Sequence, residues 1–465
     1  MASIIVCGGS VVGLSAAMLL AGDGHDVTVL ERDPASPPAD PTQAWDGWGR
    51  TGVAQFHQPH NLFPRFRQIL DDELPGLVDA LVDAGCVPVD PLESQPPTII
   101  DRAPRPGDDR FRFVTGRRPV IEAVLARAAA ATPGVTVRRG LGVAGLMSAD
   151  GGPGALRHVT GVRTASGEVL GADLVVDATG RRSRLAEWLE AIGAGTPTVE
   201  AEDSGFVYHT RYFAGPRAPR LYAAPISEIG TITILTLPGD NDTWSVTVFA
   251  ASADVALKGL RDPDRFTRVV SACPLHKHWL KGESITDVLT MAGILDRYRR
   301  FVVDGRPVAT GVAAVGDAWA CTNPSAGRGM TVGLIHAQRL RDVVRSDLHD
   351  PTGFALAWDR ATEAAVAPFY REQIRADRAR IAEMDALREG RPAPAPDPVM
   401  SALSVAMLHD PEVFRGALDI FMCLALPDEV FSRPGLRERV ETLGAGGAPF
   451  RVPGPDRATL LDLLA

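Results

Sequence analysis

Lysine is almost missing from this chain. Lys258, Lys277 and Lys281 are the three lysines among 48 basic residues in 465, which leaves 45 arginines. Lysine-based surface chemistry and a lysine nucleophile near the N-terminus are therefore excluded. Cysteine is scarce as well. Cys7, Cys86, Cys273, Cys321 and Cys423 are scattered, odd in number and without zinc or redox spacing, so they read as free thiols in a reducing, cytoplasmic compartment. No charged side chain precedes Asp23, but a signal peptide needs a positive leading region, and the first basic side chains are His25 and Arg32. The most apolar later run, 413–426, contains Arg415 and Asp419 and is too short to span a bilayer. Acidic residues outnumber basic ones, 57 to 48, and the net charge of −9 argues against a general nucleic-acid binder.

What is present is an ordinary soluble composition, 45% hydrophobic and 23% charged, on a chain long enough for about three domains. Residues 3–7 form a β-branched run suited to a buried parallel strand, and 14–21 a helix of small and apolar residues. A second strand at 27–30 is followed at once by Glu31, which completes a βαβ unit of about thirty residues. A helix over 119–131, a strand at 135–138, a hairpin turning at Ser166–Gly167 and a buried strand at 174–176 follow. From 206 to 250 the runs 206–213, 231–237 and 244–249 alternate or are β-rich, as in an antiparallel sheet. Beyond Pro351 the chain reads as helical. Residues 361–387 are expected as one densely charged helix with a solvated face and one apolar stripe. Residues 412–426 are a candidate cover for a cavity or for a subunit contact.

The first turn reads Gly8-Gly9-Ser10-Val11-Val12-Gly13. A dinucleotide site needs a tight turn, a backbone that can approach a pyrophosphate, and a small residue where helix meets strand. The helix N-terminus then offers free N–H groups to the phosphates. Ser10 replaces the second glycine of G-x-G-x-x-G; it is small, and its hydroxyl can donate to phosphate. Glu31 ends the second strand, where a carboxylate accepts from ribose hydroxyls and repels a 2′-phosphate, so FAD or NAD is preferred over NADP.

Two later segments extend the pattern: Asp177-Ala178-Thr179-Gly180-Arg181-Arg182-Ser183, and Gly316-Asp317 followed by Asn323-Pro324-Ser325-Ala326-Gly327-Arg328-Gly329-Met330. Together with the first turn they resemble the three fingerprints of flavin-dependent monooxygenases of the para-hydroxybenzoate hydroxylase type, over about residues 2–345. The resemblance is nearest to bacterial natural-product hydroxylases and epoxidases, which share features written here Gly52-Val53-Ala54-Gln55 with His60, and Asp203-Ser204-Gly205-Phe206-Val207-Tyr208. Asp177-Ala-Thr-Gly180 departs from the more common Gly-Ala-Asp-Gly form.

The resemblance implies an α/β fold: a Rossmann-like FAD-binding domain with a parallel sheet, discontinuous in sequence (1–75, 105–186 and 285–350). It adds an antiparallel β-sheet substrate domain (76–104 and 187–284) and a C-terminal helical region (351–465). It also implies FAD as cofactor, with NAD(P)H or a partner flavin reductase as electron source. Molecular oxygen would form a flavin C4a-hydroperoxide that passes one oxygen atom to a small hydrophobic, aromatic or polyketide-like substrate by hydroxylation or epoxidation. A monomer or homodimer is expected. The cofactor-binding residues expected from motif and resemblance are Gly8, Gly9, Ser10, Val12, Gly13, Glu31, Arg32, Arg50, Val53, Arg118, Val143, Asp177, Gly180, Gly316, Asp317, Pro324, Gly327, Gly329 and Met330. The flavin carries the chemistry. Candidate groups beside it are Tyr208, His209, Arg211, His60 and Pro324. Alternation puts His209 and Arg211 on one strand face and Tyr208 with Thr210 on the other, with the cavity-facing side left open. His57 and His60 lack a third ligand nearby, so no metal is expected. Trp45 and Trp48 do not form the Trp-x-Trp-x-Ile-Pro segment of flavin halogenases, which also use an early lysine. The alternatives are a flavin dehydrogenase or reductase of the same fold without oxygen insertion, and a non-catalytic nucleotide-binding protein.

Overall fold

The computed structural model describes residues 1–149, 155–203, 205–447 and 450–465; Ser204 of the 203–208 motif lies outside them. The opening β-branched run forms strand β1 (Ser3–Cys7) and the next apolar run forms β2 (Asp26–Glu31). With β3 (Val135–Arg139), β4 (Leu174–Asp177) and a last strand, Val312–Ala314, they make a five-stranded parallel sheet. Its order is Val312–Ala314, β4, β1, β2, β3. Helix α1 (Val11–Gly22) joins β1 to β2, and α2 (Arg118–Ala131) precedes β3. Ten of the twelve α1 residues are buried, so the helix is apolar all round, as a helix covered on several sides must be.

The close approach of α1 to the sheet requires glycine. A Cβ on Gly13 would stand 1.9 Å from the Gly8 carbonyl oxygen, and one on Gly8, at φ +111°, 2.5 Å from the Ala178 carbonyl oxygen.

A second layer is antiparallel. Strand β4 leads, after a helix, to β5 (Phe206–Ala214), which pairs on one side with β7 (Thr243–Ala251) and on the other with β8 (Leu289–Ala292). Strand β6 (Ile232–Pro238) lies beyond β7. One face of this sheet is closed by helix α3 (Pro263–Ser271) and the last helix, Arg457–Leu464, through Ile234, Val246, Val248, Phe266 and Leu460. The opposite face carries Tyr208, Thr210, Thr247 and Phe249. A buried ion pair, Arg117 to Asp240 at 2.7 Å, ties the two layers together.

Several expected boundaries shift. The helix Leu77–Asp83, placed by sequence with the second domain, buries Leu77 and Leu81 in the core of the parallel layer. Strand β8, placed with the first domain, belongs to the antiparallel sheet because its backbone pairs with β5. The region 351–465 is not one unit. Its middle helices, from Pro398–Ala406 to Leu436–Gly444, have their own core, whereas the final helix returns to the antiparallel layer. The helix expected over 361–387 is two. After α4 (Gly329–Asp347), α5 (Pro351–Ala365) stops at Val366 and α6 (Ala367–Arg388) starts anew with Pro368 in its first turn, where a missing N–H costs nothing. The run 412–426 contributes no residue to the lining of the cavity described below; Pro411–Phe421 docks its lobe on Ile99 and Phe111, with Arg415 paired to Asp108. All five cysteines are free and buried. Among the described residues no helix is long and apolar enough to cross a membrane.

Gly13→Ala should lower stability by about 1–3 kcal/mol or more through overpacking against the Gly8 carbonyl. A thermal melt unchanged from the parent would refute the close approach.

Candidate functional site

A cavity of about 290 Å³ runs from the C-terminal edge of the parallel sheet to the open face of the antiparallel one. Ligand crevices form at that edge of α/β sheets. The near end is lined by Gly8–Val12, Glu31, Arg32, Leu141 and Val143. The middle is lined by Gly52–Gln55, Arg118, Gly180, Arg181, Asp317 and the loop Thr322–Met330. Tyr208, Leu235, Leu237, Thr247, Phe249 and Met291 line the far end, and none of these lining side chains is charged.

At the near end the Gly-rich turn is clamped by charge. Glu31 Oε2 accepts from the Gly9 N–H at 2.8 Å, and its Oε1 from the Asp33 N–H. Arg50 is buried among three carboxylates: Glu31 at 2.6 Å, Glu122 at 2.8 Å and Asp33 at 3.2 Å. Burial alone would lower its pKa, but Glu122, Glu31 and Asp33 more than offset this and hold the guanidinium charged. Arg118 pairs with Glu122 at 2.6 Å and donates to the Ser10 hydroxyl at 3.0 Å, and that hydroxyl donates to Glu122 at 2.7 Å.

His60 lies beside this cluster. Its Nδ1 meets the Gln58 carbonyl at 2.8 Å and its Nε2 faces Arg118 at 3.4 Å. Nδ1 must therefore carry the proton, and Nε2 accepts. Burial and Arg118 push its pKa down to about 3, so the ring is neutral. Asp317 opens into the middle of the cavity. Burial raises its pKa, against Arg118 and Arg181. A Cβ on Gly327 or Gly329 would meet open space, so this loop and the α4 N-terminus present bare backbone to the cavity.

Most expected site residues converge here; five do not. His209 and Arg211 lie on the opposite face of β5. His209 contacts Thr290, and Arg211 bonds Thr286, Pro263 and Thr267 under α3. Gly13 serves packing. The Asp177 carboxylate is turned inward, accepting from the Thr179 N–H and hydroxyl and from Ser183, so it shapes the Thr179–Ser183 turn instead of the cavity wall. The Gly316 N–H donates to His336 Nδ1 at 3.0 Å, away from the cavity. Tyr208 and Pro324 do line it, and the Tyr208 hydroxyl donates to Asn323. Among the described residues no group of three His, Cys, Asp or Glu side chains is placed to hold a metal ion.

Sequence reasoning missed Glu122, Gln58 and Thr247. For Glu122 the signal was the i, i+4 spacing from Arg118 at the start of an apolar helix. Gln58 Oε1 accepts from Thr210, whose hydroxyl also meets Thr247, each at 2.8 Å.

A sequence profile described as tryptophan halogenase matches residues 118–198. Protein Rv3254 of Mycobacterium tuberculosis is 29% identical over 398 residues, covering 79% of this chain and 78% of its own. Among solved structures, the Diels-Alderase PyrE3 of the pyrroindomycin pathway superposes with a TM-score of 0.58 at 19% identity, over 90% of this chain and 80% of its own. PqsL, described as a probable FAD-dependent monooxygenase of Pseudomonas aeruginosa, gives 0.57 at 16% identity, over 90% and 99%. The chain thus has the fold shared by these proteins. Their names span different reactions, so the site must decide the chemistry.

Arg50→Ala should cost about 3–5 kcal/mol in urea denaturation, because Glu31, Asp33 and Glu122 would be left buried without their cation. Arg50→Lys should not restore it, since one ammonium cannot reach three carboxylates from a planar fork's positions. Parent-like stability in Arg50→Lys would contradict that geometry.

Proposed function

We propose that this protein is an FAD-dependent monooxygenase that inserts one oxygen atom into a small, uncharged, hydrophobic organic substrate by hydroxylation or epoxidation. The observation that carries the reading is one continuous cavity with a polar, glycine-lined end at a Rossmann-type turn and an apolar end under an antiparallel sheet. The donor set fits FAD. The N–H groups at the start of α1 and the cations Arg118 and Arg181 suit a diphosphate. Glu31 suits the ribose, Asp317 the ribityl hydroxyls, and the bare backbone of Gly327–Met330 the edge of a flat ring that gains negative charge. When bound, FAD supplies the redox and oxygen chemistry.

The chain's own residues then have plain tasks. Leu235, Leu237, Phe249 and Met291 exclude water and hold an apolar substrate against the ring. Tyr208, Gln58 and Thr247 offer neutral hydrogen bonds that orient it. His60, held neutral, adds no positive charge at the junction of the two ends. Electrons come from NAD(P)H or a partner reductase.

The match over 118–198 favours a second reading, a flavin halogenase. Against it, no lysine lines the cavity; Lys258, Lys277 and Lys281 all lie in segments of the antiparallel layer remote from it.

Purified protein should bind FAD, and an apolar substrate should speed oxygen consumption and yield a product heavier by one oxygen atom. Asp317→Ala should weaken FAD by about 1–3 kcal/mol, because ribityl hydroxyls would lose a buried acceptor. Titration of flavin fluorescence measures this, and an unchanged dissociation constant would sink the assignment. Full substrate turnover without oxygen, to a product lighter by two hydrogen atoms, would favour a dehydrogenase instead.

A further inference from the structure

Helix α6 passes behind the loop Thr322–Met330 and turns two polar side chains toward it. Ser325, which lines the cavity, donates from its hydroxyl to Asp377 Oδ1 at 2.5 Å. Gln373 Nε2 donates to that same oxygen at 3.0 Å and to Ser325 Oγ at 2.7 Å. The other carboxyl oxygen, Oδ2, is buried with no hydrogen-bond partner among the described residues, and Asp377 is only 3% exposed. An ionised carboxylate would leave that oxygen's charge unmet in the interior, whereas an acid protonated at Oδ1 leaves no such charge.

We propose that Ser325 and Asp377 form a proton-exchange path between the cavity and a carboxyl group buried behind its wall. In the uptake direction, an O–H or N–H group in the cavity gives its proton to Ser325 Oγ. The original Ser325 O–H bond breaks, and that proton bonds to Asp377 Oδ1. The cavity donor keeps the electron pair as its conjugate base, Asp377 becomes neutral, and no oxidant or reductant is consumed. Gln373 holds both oxygens in line throughout. The reverse sequence returns the proton.

Each group facing Asp377 is consistent with such exchange. Burial pushes its pKa up to about 7; the hydrogen bonds from Ser325 and Gln373 oppose this, Asp296 on the strand Asp296–Arg300 adds to it, and Arg328 before α4 opposes it. Tyr208 on β5, whose pKa burial also raises with help from Asp377 and Asp296, stays neutral. An acid that titrates near neutral pH can both take and give a proton there. The path needs only the cavity; its use in oxygen chemistry rests on the reading above.

Two measurements on the full chain, neither needing flavin, test it. The folded pKa lies above the ordinary 3.8, so Asp377 contributes stability that is full below about pH 4 and is lost as pH rises through about 7. The stability difference between the parent and Asp377→Asn should fall over that window and flatten above it; a difference independent of pH overturns the buried proton. The second measurement follows the infrared stretch of the protonated carboxyl after a pH jump from about 8 to about 5. Asp377→Asn should lack the band. In Ser325→Ala it should appear at least about tenfold more slowly, while Ser325→Thr, which keeps the hydroxyl, should restore the rate. Equal rates in Ser325→Ala and the parent overturn the path. A purely structural role for Ser325 would lower stability without separating Ala from Thr in rate. Failure to bind FAD would overturn the monooxygenase reading and leave both of these outcomes intact.

Discussion

The guanidinium of Arg50 is the group on which the site's geometry turns. It reaches Glu31 at the end of the second strand, Asp33 just beyond, Glu122 on α2 and the Gly9 carbonyl in the first turn. Each of those groups would repel its neighbours without a cation between them. Because the carboxylates are buried, their repulsion is screened less than it would be in water, and so is their attraction to Arg50. The Gly-rich turn is therefore held open from behind by charge as well as from below by close packing of Gly13 on Gly8. One consequence concerns the ligand. Most of the Arg50 N–H groups are already spent within the protein, so a diphosphate bound here, as the proposed function requires, would be drawn by the helix amides, Arg118 and Arg181. This matters in a chain whose net charge is −9.

The first βαβ unit was legible because its physics is local. A strand buried on both faces must be apolar throughout, a helix covered on several sides must be apolar all round, and a backbone crossing at 1.9 Å from a would-be Cβ must be glycine. The loop before Met330 was legible for a different reason: a Cβ on Gly327 or Gly329 would meet open space, but Gly327 takes a left-handed φ of +69° that favours glycine. Strand β5 shows where this reasoning stops. Alternation sorted Tyr208 and Thr210 from His209 and Arg211 without naming the side that met the cavity. That depended on α3, about fifty residues later in the chain, which covers the His209 face through Arg211 and Thr267. No local pattern in β5 carries that fact.

Helix α6 shows a different limit. By its charge density it reads as a solvated face, and Arg371, Arg375 and Arg378 are indeed exposed. Yet Asp377 falls in the apolar stripe made by Ile374, Ile381 and Met384, at the i+3 position where a further hydrophobe would be expected. Ile381 and Met384 pack against Tyr208 and Phe249 behind the cavity wall. A carboxyl group in such a stripe was a readable anomaly, but its partner was not. Ser325 lies 52 residues away, in a loop chosen for its glycines, and only the packing of α6 brings the two together.

The cavity is divided by charge in a way that bears on what it can hold. Its charged lining side chains, Glu31, Arg32, Arg50, Arg118, Arg181, Arg182, Arg184 and Asp317, come from the parallel-sheet layer and its loops, and none comes from the antiparallel sheet that forms the far end. A substrate carboxylate entering the far end would lose its hydration and find only Tyr208, Gln58 and Thr247 in return. Those neutral groups cannot offset the desolvation of an ion. An uncharged molecule with one or two polar atoms loses far less there and gains the contact of Leu235, Leu237, Phe249 and Met291. With a substrate seated there, the same apolar wall would keep bulk water from the junction at Pro324 and Ser325. There, a proton held on a buried acid is worth more than one exchanged with solvent, because its transfer stays coupled to whatever occupies the cavity.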